Sequence, residues 1–112
     1  MQYDIAHVDS SGRFSARTLL CALNWHAGDR IAMAVLPEMI LFRRTDEGIY
    51  QVSQQGSLAI PAVARTRHAI KPGDRVLLAG ATTRGLLVIQ SLSVLNKMMA
   101  MYHGHSDEPT ST

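Results

Sequence analysis

The chain has 112 residues, 46% of them hydrophobic and 18% charged, with eleven Lys and Arg against nine Asp and Glu and a single cysteine, Cys21. That is one small domain's worth of chain, long enough to bury a core of modest stability. No apolar run approaches the roughly 18 residues of a membrane span, since the longest, 31–42, is broken by Pro37-Glu38, so no membrane partner is expected. One cysteine excludes an internal disulfide, and without a basic-then-apolar leader the expected location is a reducing cytoplasm.

Taken in order, residues 3–8 and 13–15 read as short strands around a Ser10-Ser11-Gly12 turn. Ser15 suits the cap of a helix running through Leu23, with Leu19, Leu20 and Leu23 on one face and Asn24 at a left-handed stop. After an Ala27-Gly28-Asp29 turn, Ile31, Met33 and Val35 alternate as a strand, Pro37-Glu38 reverses the chain, and 39–42 return as the second arm of a hairpin. Residues 43–48 read as a polar linker. The same order then recurs. Residues 49–53 and 57–60 are strands around Gln54-Gln55-Gly56, and Pro61 opens a helix that runs to about Ala69. Pro72-Gly73-Asp74 is the turn, and 76–79 and 86–90 form a hairpin around 80–85. A further helix follows from Ser93, with Val94, Leu95, Met98, Met99 and Tyr102 on one stripe and Gly104 as its stop.

The chain therefore repeats itself: Gly12 and Gly56 are 44 apart, and Gly28 and Gly73 are 45 apart. Such a unit has too small a core alone and needs a neighbour, and only two copies point to a pair that closes on itself. The expected organisation is a first repeat over 1–48, a second over 49–92, a helix over 93–104 and a flexible tail over 105–112, with both repeats in one folded domain. Charge is divided unevenly between the copies. Residues 1–48 hold five arginines against six carboxylates, whereas 49–98 hold six basic side chains against Asp74 alone, and the tail adds Asp107 and Glu108. A locally basic half fits an anionic partner.

The motifs Val8-Asp9, Gly12-Arg13, Arg17 and Gly28-Asp29 in the first copy resemble the AbrB/MazE/SpoVT swapped-hairpin family, as do Gly56, Ile60-Pro61, Arg65 and Ile70-Lys71-Pro72-Gly73-Asp74 in the second. The resemblance covers about 5–44 and 49–91. It implies a mainly β fold with short helices, an AbrB-like swapped-hairpin β-barrel formed here as an intrachain pseudo-dimer. It implies sequence-specific binding of double-stranded DNA, as in bacterial transcriptional regulators and antitoxins, and hence a place beside the nucleoid. The contacts it implies are Arg13, Arg17, Arg65 and Arg67, of which Arg67 has no clear family counterpart. Arginine suits the task because its planar fork pairs with phosphate or the edge of guanine. The chain departs from the family pattern where Ala16 replaces a proline, Ser57 the arginine after glycine, and Ala62 a basic residue.

The alternative is an antitoxin-like or scaffold module that grips a toxin or other protein through the Met-rich last helix; a homodimer is also compatible with the pattern. No nucleophile, acid–base pair, cofactor loop or metal set stands out, so no enzyme, cofactor or metal is expected. His103 and His105 read as tail, His26 and His68 as exposed residues near helix ends, Lys71 as surface, and Trp25 and Cys21 as core.

Overall fold

In the computed structural model, residues 1–92 are described; the expected last helix and tail, with His103 and His105, lie outside the described residues. The first repeat folds as β1 (Gln2–His7), β2 (Arg13–Ser15), α1 (Arg17–Leu23), β3 (Arg30–Val35) and β4 (Ile40–Arg44). The second folds as β5 (Tyr50–Gln51), β6 (Ser57–Ala59), α2 (Ala62–Arg67), β7 (Arg75–Ala81) and β8 (Leu86–Ser91). The protein is mainly β, and every ladder is antiparallel.

The two copies do not fold side by side. The large sheet runs β1-β7-β8-β4-β3-β5, and β2 pairs with β6 in a separate ribbon. β1 of the first copy lies on the second copy's hairpin, with His7 opposite Arg75, and β5 of the second lies on the first copy's hairpin, with Gln51 opposite Arg30. The hairpins meet through β4 and β8, where Leu41 faces Val88 and Phe42 faces Leu87. Backbone bonds at the turns follow the same exchange: Val8 N–H donates to Asp74 O at 2.8 Å and Gly73 N–H to Val8 O, while Val52 N–H donates to Asp29 O at 3.1 Å and Gly28 N–H to Val52 O. The ladder does not close into a barrel, because its two edges, β1 and β5, are not hydrogen-bonded to each other.

One face of the large sheet packs against the helices and the ribbon. Ile31, Ile40, Phe42, Leu78, Leu87 and Ile89 are wholly buried there, together with Phe14, Leu58, Leu19 and Ala64. Each large apolar side chain so placed contributes roughly 1.5–3 kcal/mol relative to exposure. Because the cluster draws on both copies, neither copy holds it alone.

Local boundaries differ from the sequence reading in a few places. Ser15 is claimed by the ribbon, opposite Ser57, so α1 is capped by Ala16 with no side-chain bond. Pro61 is the N-cap of α2 rather than its first helical residue, and α2 ends by Arg67. Arg43 and Arg44 belong to β4, since a strand flanked by both β3 and β8 has ladders to extend. Asn24, at φ 61°, is the left-handed stop expected. Trp25 and Ile70 are both buried. Cys21 is exposed, not core, because Leu19, Leu20 and Leu23 take the inward positions of α1. His68, expected at the surface, is only 2% exposed. It sits at the end of α2 with Nε2 2.8 Å from the Leu36 carbonyl at the tip of the other copy's hairpin, and its Nδ1 has no partner among the described residues.

Candidate functional site

The β2–β6 ribbon is where the copies meet away from the large sheet. Phe14 and Leu58 are opposite each other and point into the core, so Arg13, Ser15, Ser57 and Ala59 face outward on the alternate positions. Turns at Gly12 and Gly56, with φ of 82° and 75°, lead into the two strands. Each turn is tied to the opposite copy: Ile60 N–H donates to Gly12 O at 2.8 Å and Ala16 N–H to Gly56 O at 3.1 Å.

The turn before Arg13 is organised by Asp9. One carboxylate oxygen accepts from the Ser11 N–H, the Ser11 hydroxyl and the Arg13 N–H, all at 2.9 Å. The Arg13 amide, then the Ser11 hydroxyl, hold the Asp9 carboxyl below the usual carboxylate range. In the second copy Ser53 takes this place; its hydroxyl accepts from the Ser57 N–H at 3.0 Å and shares a 2.7 Å hydrogen bond with the Ser57 hydroxyl. The first turn thus carries an aspartate and an arginine where the second carries two serines.

Three of the four candidate arginines gather here. Arg13 is exposed on the outer face of the ribbon, with Nη1 3.5 Å from Ser57 Oγ. Arg65, from α2, lies over Gly12: a Cβ on that glycine would stand 2.7 Å from Arg65 Nε. Arg17, from α1, lies over Gly56, where a Cβ would stand 2.7 Å from Arg17 Cγ. Each is anchored through Nε, Arg65 donating to Ile60 O at 2.9 Å and Arg17 to Gln55 O at 2.8 Å. The terminal nitrogens of both have no partner among the described residues. The fourth, Arg67, is exposed two positions beyond Arg65 on α2, which turns it about 200° away around the helix. The structure does not bring it to the ribbon.

Sequence reasoning chose these arginines but missed their seats. Nothing in local spacing says that each helix arginine caps the glycine turn of the opposite copy. It also missed Ser57 and Gln55 as partners. A second charged cluster lies at the other turn pair: Arg44 Nη1 donates to Asn24 O at 3.0 Å and reaches Asp29 Oδ2 at 3.3 Å. The His26 amide, then Arg44, hold Asp29 below the usual carboxylate range. Among the described residues no group of three or more His, Cys, Asp or Glu could hold a metal ion, and no helix is long and apolar enough to cross a membrane.

No protein-family model and no curated protein matches this chain.

Proposed function

We propose that the chain is an AbrB-like swapped-hairpin protein with both halves of the pseudo-dimer in one polypeptide, and that its ribbon binds double-stranded DNA sequence-specifically, as a bacterial transcriptional regulator. The observation that carries this reading is the convergence of Arg13, Arg17 and Arg65 around the β2–β6 ribbon. The exchange of first strands between the two hairpins supports the fold half of it.

The mechanism follows from how the arginines are held. Fixing Arg17 and Arg65 at Nε against backbone carbonyls removes side-chain freedom before DNA arrives, which lowers the ordering cost of binding. Their terminal nitrogens remain for phosphate oxygens, giving affinity and register. Arg13, at the centre and held only by the long 3.5 Å bond from Nη1 to Ser57 Oγ, is placed for a base edge. Ser57 stands where the repeat would put a second Arg13, so one chain presents unlike halves and prefers an asymmetric site.

The test is fluorescence anisotropy on duplexes selected from a random pool, at low and moderate salt. Arg17→Ala and Arg65→Ala each remove one phosphate-binding guanidinium, so each should reduce the slope of log K against log salt by about 0.9. Arg13→Ala should relax sequence choice by about 1–3 kcal/mol at one base pair, and Arg67→Ala should change little. Absence of binding at low salt, or binding unmoved by Arg13→Ala combined with Arg65→Ala, refutes the proposal.

A further inference from the structure

The two copies build the same turn after their helices and surround it with different side chains. Asp29 Oδ2 accepts from the His26 amide at 2.7 Å, and Asp74 Oδ2 accepts from the Lys71 amide at 2.8 Å. Gly28 and Gly73 have φ of 87° and 88°. Arg30 stands opposite Gln51 in its ladder, and Arg75 stands opposite His7. The backbone frame is therefore common, and the positions on it correspond: His26, Gln51 and Arg30 in the first copy are Lys71, His7 and Arg75 in the second. The place of Arg44, opposite Ile31, is taken by Ser91, opposite Val76.

These exchanges tip the charge balance. Each turn borders an open depression, of about 560 Å³ in the first copy and about 580 Å³ in the second. The first is lined by Arg30 and Arg44 against Asp29 and Asp46, and Arg44 is engaged with Asp29 at 3.3 Å. The second is lined by Lys71, Arg75 and His7 against Asp74 alone. The side chains of these three basic residues make no hydrogen bond or ion pair among the described residues. His7 and Arg75 are direct cross-strand neighbours, with Cβ atoms about 4.5–5.5 Å apart, and like charges so placed are unfavourable. An anion between them removes that penalty.

The kind of anion follows from the donors. The amides of the turn are already occupied: Lys71 N–H by Asp74 Oδ2, Gly73 N–H by Val8 O and Asp74 N–H by Lys71 O. Side chains must then hold the ligand. The arginine fork pairs with two oxygens of a phosphate, lysine adds a compact point charge, and imidazole adds a further N–H. A phosphate group carries about −1.5 to −2 and three acceptor oxygens, which matches three donors and the surplus positive charge. A carboxylate offers one charge and two oxygens.

We propose that the depression between His7, Lys71 and Arg75 binds a phosphate group. It uses none of the ribbon arginines, so it stands or falls apart from DNA binding there. A phosphorylated small molecule and a nucleic-acid backbone both carry this group, and the test separates them.

The full chain is titrated with inorganic phosphate, against chloride at equal ionic strength, and followed by amide NMR. Saturable shifts are expected at Gly73, Asp74 and Arg75 and not at Gly28, Asp29 and Arg30. Lys71→Ala combined with Arg75→Ala removes two charge-assisted contacts and should lower phosphate affinity about tenfold or more, whereas Arg30→Ala should leave it unchanged. Circular dichroism checks that each variant keeps the sheet. If a nucleic-acid backbone supplies the group, a DNA duplex shifts the same amides, and Lys71→Ala lowers the slope of log K against log salt by about 0.9. If a small molecule supplies it, the duplex leaves those amides in place and the slope is kept. Shifts that are absent at the Gly73 turn, equal at both turns, or unchanged in the double variant would overturn the proposal.

Discussion

Gly12→Ala isolates the contact on which the arginine site depends. Gly12 has φ +82°, and an added Cβ would stand 2.7 Å from Arg65 Nε and 2.8 Å from its Cζ. Alanine in the left-handed region costs about 1–2 kcal/mol. Arg65 must also swing aside and give up its 2.9 Å bond to the Ile60 carbonyl, a further loss of about 1 kcal/mol. The total is about 2–3 kcal/mol. Gly28→Ala is the matched control, because Gly28 has φ +87° and nothing within 4 Å of the new Cβ. It should cost only the backbone part, about 1–2 kcal/mol. Urea unfolding followed by circular dichroism measures both, and the difference between them reports the Arg65 seat. On the proposed function, Gly12→Ala should also weaken DNA binding and Gly28→Ala should not. Equal destabilisation of the two variants, with DNA affinity retained in Gly12→Ala, would refute the reasoning.

Two further outcomes are expected. Gly48→Ala should destabilise by about 3 kcal/mol or more, because its Cβ would lie 2.4–2.5 Å from the Ile31 backbone C, N and O, which cannot yield as a side-chain tip can; a urea midpoint close to wild type would contradict it. Asp29 has its carboxyl held below 3.8 in the fold by the His26 amide and Arg44. Its contribution is therefore full above pH 3.8 and lost as pH falls from there through the lower folded value. The stability gap between wild type and Asp29→Asn should be widest above about pH 5 and close in acid; urea midpoints across that range check it, and a gap independent of pH would show that the ionised carboxylate carries nothing.

Much of the fold was legible one repeat at a time. Glycines at 12, 28, 56 and 73 announced turns, and all four have positive φ. The periodicity of Leu19, Leu20 and Leu23 placed the inward face of α1, and Ile31, Met33 and Val35 placed that of β3. Single residues were harder. Cys21 adjoins the apolar stripe, and one helical step of 100° separates core from solvent. His68 was misplaced because local pattern treats histidine as a helix-end polar residue, whereas its surroundings come from a hairpin tip 32 residues earlier in the chain. Gly48 looked like linker and is in fact pressed against the β3 backbone.

Within residues 1–92 the elements, their order and the duplication are legible from local pattern alone, since each rests on nearest-neighbour chemistry: backbone freedom at glycine, and helical and strand periodicity. Tertiary structure alone decided which hairpin each first strand joins, because a strand's alternation says that it pairs and not with what. The same exchange seats Arg65 on Gly12 and Arg17 on Gly56, gathers three arginines and leaves Arg67 aside. It also decides which side of β7 and β8 is covered, so that Leu78, Leu87 and Ile89 are wholly buried while Leu77, Leu86 and Val88 on the other side are only half-buried, a difference that apolar runs cannot reveal.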